Sequence, residues 1–217
     1  MDFQFTERQL QDNSWSVYLF IGSFLLVAIV RAVFDKQFKD FLGLVHTNKY
    51  IKLYGETSLS WFSVVLTLVQ LISYSFFIQI MLSYFGMVHK TNFEVFIRIF
   101  AFVSLFFGLK YLINRSIAGL FDIQDFCTKG LFYQTSYKMY LGLFLLLASF
   151  IMFYAKQPNI VLAYVLLSIF LLLHLIIYFI SLRVFRKEIL SNMFYFILYL
   201  CTLEIAPYYF TYYWFTK

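Results

Sequence analysis

The chain has 217 residues, of which 62% are hydrophobic and 13% charged, with a mean hydropathy of +0.78. Soluble domains run at about 45–50% apolar and 25% charged, so this composition excludes a water-soluble globular fold and makes lipid the solvent for most side chains. The net charge of +6 does not point to nucleic acid, because in a membrane chain the information lies in which loops carry Lys and Arg.

A transmembrane helix needs about 20 mostly apolar residues to cover roughly 30 Å of hydrocarbon. Six stretches are read as spans: Trp15–Val33, Trp61–Phe85, Phe93–Ile113, Met139–Tyr154, Ile160–Leu182 and Met193–Tyr213. The segments between them are too short for soluble domains. The expected fold is therefore all-α, a polytopic transmembrane helical bundle of about six spans forming a single integral-membrane domain over residues 1–217. The leader before the first span sets three acids against Arg8, the reverse of a secretory n-region, so that span is read as a retained anchor.

After the first span, Phe34, Phe38, Phe41 and Val45 recur at helical spacing while Lys36, Lys39 and Asp40 point elsewhere. This predicts an amphipathic interfacial helix on the inner leaflet, with a docking helix for a partner as the alternative. Lys36, Lys39, Lys49 and Lys52 are assigned to the membrane surface, where each ammonium is worth about 1 kcal/mol near anionic headgroups. In the second span Ser63, Thr67, Gln70 and Tyr74 form a polar stripe of the kind that holds helices together.

An ionised side chain inside the bilayer costs at least a few kcal/mol unless paired or hydrated, so the polar residues of the later spans are the candidate functional or structural positions. Glu94 and Arg98 are four apart on the third span and can pair along it. Ala101, Ser104 and Gly108 continue that face with small residues, and the face is expected to turn into the bundle. The following segment, Asn114–Lys138, is read either as a prolongation of the third helix with a short connector or as a re-entrant hairpin. His174 lies near mid-depth in the fifth span with Tyr178 and Ser181 on the same face, and a hydrogen bond to a neighbouring hydroxyl is favoured over a proton relay.

Glu204 stands eleven residues into the sixth span and one turn before Pro207. The proline leaves the Leu203 carbonyl without its helical donor and bends the helix beside the acid. Either Glu204 pairs with Arg98, or it is a proton or ion site at a broken helix. Twelve of the 17 Lys and Arg lie at the trailing ends of the first, third and fifth spans or in the segments after them, whereas the opposite side has Arg8, Lys90, Lys156 and Lys217. The positive-inside rule then places both termini outside the cytoplasm.

Cys127 and Cys201 are read as unpaired thiols, since a bridge would have to join a cytoplasmic loop to a span. His46, His89 and His174 fall in three separate regions, so no metal site is expected; nor is a cofactor, because no phosphate loop or nucleophilic triad is present. Aromatics make up 24% of the chain, more than interfacial belts need. Codon drift in an AT-rich genome and a packing role are both open explanations.

The run Phe196–Pro207, FILYLCTLEIAP, resembles the closing motif of a family of uncharacterised multi-pass inner-membrane proteins of Bacteroidota, a domain of unknown function. Tyr199, Cys201, Thr202, Glu204 and Pro207 carry the likeness, which extends over the whole chain in length and span order. The resemblance implies a bacterial cytoplasmic (inner) membrane, in which the charge pattern makes both termini periplasmic, and an envelope-biogenesis context near polyprenyl-linked sugar metabolism. The expected function is a non-enzymatic structural or partner-binding component of envelope machinery, with the lipid bilayer and an envelope protein as partners. The alternative is a small carrier or flippase for a lipid-linked or anionic substrate, using Glu204, Arg98 and His174.

Overall fold

The apolar stretches fold as helices in the computed structural model, which describes residues 14–45, 49–55, 60–120, 124–155 and 160–184. The expected sixth span, with Cys201, Glu204 and Pro207, lies outside the described residues. In chain order the helices are α1 (Ser14–Val33), α2 (Asp35–Leu42), α3 (Lys49–Tyr54), α4 (Trp61–Tyr84), α5 (Phe93–Leu120), α6 (Gln124–Tyr154) and α7 (Ile160–Val184), with a 3₁₀ turn at Gly43–Val45. Five of them, α1, α4, α5, α6 and α7, contain stretches long and apolar enough to cross a membrane. The described chain is an all-α bundle.

Helix starts at Trp61, Phe93 and Ile160 coincide with the sequence reading. The fourth span does not start at Met139. Helix α6 already runs from Gln124, with its apolar stretch beginning at Gly130, and α5 continues to Leu120, so Asn114–Leu120 and Gln124–Lys138 are helical. Gly130 sits inside α6 instead of breaking it, because Tyr133 and Ser136, 3% and 1% exposed, anchor that turn in the bundle. Tertiary burial outweighs the roughly 1 kcal/mol that a helical glycine costs.

Helix α4 is the centre. Of its apolar stretch 61% is buried, against 17% for α5 and 11% for α7. A helix apolar all round belongs in such a position, and Phe62, Leu66, Val69, Phe76, Phe77 and Ile80 are all at most 2% exposed. Helix α1 packs on α4, with Ser16, Phe20, Ser23 and Val30 buried, Phe20 stacked on Phe76 of α4 and Ser16 within hydrogen-bond reach of Tyr154 of α6. The small serines allow close approach, and Ser23 Oγ donates to the Leu19 carbonyl at 2.8 Å, which removes its cost in an apolar setting.

Two aromatic clusters mark the two ends of the bundle. At the turn end, Phe76 stacks on Phe20 with ring centroids 4.2 Å apart and approaches Phe96 at 4.6 Å, with Trp15 and Phe153 closing the group. The α4–α5 turn at this end closes with Gly86 at φ +73°. There Met87 N–H donates to Leu82 O and Gly86 N–H to Ser83 O, a Schellman closure that favours glycine. At the opposite, basic end, Phe41, Tyr50, Phe62 and Phe132 interlock. Aromatics therefore build both cores, which is the packing role left open by composition.

The amphipathic helix exists as α2, but its apolar face rests on protein and not on lipid. Phe38 and Phe41 are buried, and Phe41 meets Phe62 of α4 and Tyr140 of α6. Helices α2 and α3 thus close the basic end beneath α4 and α6. Burial there pushes the Tyr50 phenol up to about 12, partly offset by hydrogen bonds with Gln37 and Ser63. Between pH 10 and 12 the unfolded chain ionises this tyrosine while the folded one holds it neutral, so stability falls as pH rises through that window. Relative to its stability at pH 8, the wild type should lose roughly 2 kcal/mol more than Tyr50→Phe by pH 11.5, measured by chemical unfolding in micelles.

Candidate functional site

Glu94 and Arg98 approach each other along α5 at 4.0 Å, and both side chains are 81% exposed. Among the described residues the face they share is exposed, and the expected sixth span lies outside them. Ala101 is exposed, and a Cβ placed on Gly108 would meet nothing within 4 Å. The reason lies in the opposite seam: α5 packs through Phe96, Val103 and Lys110, one residue every seven, with Ile99, Phe100 and Phe107 beside them. Large aromatic knobs outcompete the small-residue face for the contact with α4. Ser104, between the two faces, keeps a buried Oγ without a hydrogen-bond partner among the described residues.

The second-span stripe divides its tasks. Ser60 caps α4 by accepting from Ser63 N–H at 3.3 Å, and Thr67 Oγ1 donates to the Ser63 carbonyl at 2.7 Å. Gln70 marks the tightest crossing of α4 on α6, where a Cβ on Gly142 would lie 3.0 Å from its Cα, Cβ and Cγ. Near the turn end, Gln79 Nε2 donates to the Asn92 carbonyl at 2.8 Å, and Trp15 Nε1 to Thr91 O at 3.0 Å. Lys90 Nζ donates to Phe153 O at 2.8 Å and Ala155 O at 3.4 Å, so a cation closes the negative end of α6. Burial holds the Lys90 ammonium below its usual range. These contacts are structural in character.

The convergence with chemical potential lies midway along the bundle. Tyr74 Oη is 3.3 Å from His174 Nε2, and His174 Nδ1 is 3.3 Å from the Phe170 carbonyl. A carbonyl can only accept, so Nδ1 carries the proton and Nε2 accepts from the tyrosine. The hydroxyl expected beside His174 is thus supplied by α4, across the bundle. Tyr74 packs against Phe107 of α5 and Phe170 of α7. Lys138 of α6 places Nζ 5.8 Å from the centre of the Phe107 ring, within cation–π range. Lys110, three residues after Phe107 on α5, is only 8% exposed.

Four helices therefore each bring one polar group to this region. Lys110 and Lys138 are absent from the sequence-derived candidates because both count there as loop cations. Their signal was available: Lys110 falls inside the expected third span and in heptad register with Phe96 and Val103.

At the membrane-surface positions, Lys39 pairs with Asp35 at 2.6 Å and Lys49 with Asp40 at 2.9 Å, while Lys36 and Lys52 are exposed. The hydrogen bond and charge of Asp40 raise the Lys49 pKa above its usual value. A shallow open groove of about 540 Å³ runs beside them along α1 and α2, lined by Phe24, Val27, Ala28, Arg31, Ala32, Asp35 and Phe38. Glu204 and Pro207 lie outside the described residues.

Long apolar helices with lipid-facing Leu, Ile and Phe side chains around an aromatic and hydrogen-bonded interior define a multi-pass membrane protein. The chain belongs to the DUF4271 family, a domain of unknown function that matches residues 16–215. Comparisons with curated proteins and with solved structures give no match.

Proposed function

We propose that this protein is a non-enzymatic integral component of envelope machinery in a bacterial inner membrane, with both termini periplasmic, and that it works by holding a partner within the bilayer. One observation carries the reading: the strip Glu94, Arg98, Ala101 and Gly108 on α5, left open by α1, α4, α6 and α7. Charges in a spanning helix are costly against lipid. Small residues beside them let another helix approach closely enough to satisfy them. The occupant that fits is a transmembrane helix of an envelope protein carrying a polar or acidic residue at the depth of Arg98. The carrier alternative depends on Glu204 changing its protonation or partner, and no described contact favours it.

A photo-crosslinking amino acid at Ala101 tests this in the intact bacterial membrane. The expected result is a crosslinked species larger than the chain, containing one recurrent membrane protein and abolished by Arg98→Leu. Crosslinks confined to Met193–Tyr213 of the same chain would overturn the reading, since the strip would then be an internal packing face.

A further inference from the structure

The groove along α1 and α2 lies at the basic end, away from the Glu94 and Arg98 strip. Its lining residues, from Phe24 through Val27, Ala28, Arg31 and Asp35 to Phe38, recur every three or four positions, the spacing of one helix face. Phe34 joins the two helices at φ −118° and ψ 44°, outside the helical region, so α2 leaves the axis of α1 and the groove occupies the angle between them. Phe34 N–H still donates to Val30 O at 2.9 Å and Phe38 N–H to Phe34 O at 2.8 Å, which fixes the bend.

The two ends of the groove are held by packing. Phe24 meets Phe150 of α6 edge-on with ring centroids 5.8 Å apart, and Phe38 is buried against Phe41. Between them Ala28 and Ala32 are exposed and keep the floor low. Arg31 stands in the last turn of α1, about 25 Å from its start, so in hydrocarbon of about 30 Å its guanidinium reaches headgroup level. The acid in the groove, Asp35, is held by Lys39 at 2.6 Å, and no ion pair among the described residues includes Arg31. Lys36 is exposed nearby on α2. The lip of the groove is therefore positive, and from Arg31 its apolar lining runs inward for about 10 Å to Phe24.

A cation at the surface above an apolar channel that opens sideways to hydrocarbon matches the polarity of a phospholipid. A spanning helix laid on Ala28 and Ala32 would have to pass α2, whose Phe38 closes the groove at the basic end; a lipid ends there. We propose that this groove seats one anionic phospholipid, with its phosphate on Arg31 beside Lys36 and an acyl chain along Ala28, Val27 and Phe24. A guanidinium suits the phosphate because it offers two parallel N–H donors.

The test uses the purified full chain in a mild detergent, with native mass spectrometry of bound phosphatidylglycerol against phosphatidylcholine, which carries a phosphate but no net charge. Phosphatidylglycerol is expected to be retained about fivefold or more over phosphatidylcholine, as one cationic contact at the surface implies. Arg31→Gln should remove the preference, and Lys52→Gln, which deletes an exposed charge on α3, should keep it. Ala28→Leu leaves every charge in place and fills the groove, so phosphatidylglycerol retention should fall to the phosphatidylcholine level. Equal retention of the two lipids by the wild type, equal loss in the two charge variants, or a preference that survives Ala28→Leu would overturn the proposal. Where a variant fails to fold, a photoactivatable phosphatidylglycerol on the wild type decides: adducts within Phe24–Phe38 support the site, and adducts confined to other segments refute it. A photo-crosslinker at Ala28 in the intact membrane reports the competing occupants, and capture of Met193–Tyr213 or of another protein there would also overturn the lipid assignment.

Discussion

Phe76→Ala is expected to destabilise the bundle by about 2–3 kcal/mol, among the largest losses available from one side chain. Phe76 is fully buried and touches Trp15, Phe20, Phe96 and Phe153, so it joins α4 to α1, α5 and α6 at once. In a bilayer, removing a ring from the core does not forfeit transfer out of water, because the separated helix would still lie in lipid. What is lost is packing. A cavity on the order of 100 Å³ at about 24 cal/mol per Å³ gives the stated range, and the stacked aromatic contacts add to it. Reversible unfolding in mixed micelles measures the effect. Phe144→Ala serves as the control, since Phe144 is 56% exposed and should change stability by less than about 0.5 kcal/mol. Equal losses in the two variants would contradict the packing order described above.

Gly142→Leu acts by excess volume at the principal helix crossing. The first carbon added at this position already meets three atoms of Gln70 at 3.0 Å, one of them the backbone Cα, which cannot swing aside. A leucine must push α6 away from α4 over a seam that also buries Leu145, Leu146 and Ser149. Overpacking costs about 1–3 kcal/mol and occasionally more; a backbone contact puts the expected loss at or above about 3 kcal/mol. Gly142→Ala should cost about 1 kcal/mol or less, since Gln70 needs to yield only a few tenths of an ångström and alanine is the better helix former. The ratio of monodisperse to aggregated protein on detergent size exclusion, with unfolding midpoints, distinguishes the two. If leucine proves as mild as alanine, α4 and α6 are not held at this distance.

Some features of the site were legible in the residues and others were not. The pairing of Glu94 with Arg98 followed from spacing alone, because residues four apart on a helix are neighbours whatever surrounds them. That this face is exposed among the described residues did not follow. Small residues permit close approach but do not compel it, and α5 presented a second seam, Phe96, Val103 and Lys110, whose larger side chains gain more dispersion contact. Likewise the sequence places Tyr178 and Ser181 on the His174 face but does not assign the hydroxyl that bonds it. Tyr74 supplies it from a helix 100 residues away in sequence, and no local pattern encodes such a distance.

The amino-acid sequence by itself determined the environment and the elements: runs of about 20 apolar residues leave the backbone no hydrogen-bond partner in lipid except itself, so they become spanning helices. Their starts at Trp61, Phe93 and Ile160 were readable because hydrophobicity changes sharply there. Tertiary structure alone decided that α4 is the centre, that α2 lays Phe38 and Phe41 on protein, that Gly142 meets Gln70, and that Lys110 and Lys138 gather near His174. The physical reason is that in a bilayer every helix face is apolar enough to meet lipid. Which faces meet one another is then settled by side-chain shape and polar pairing across helices, interactions that exist only once the bundle has assembled.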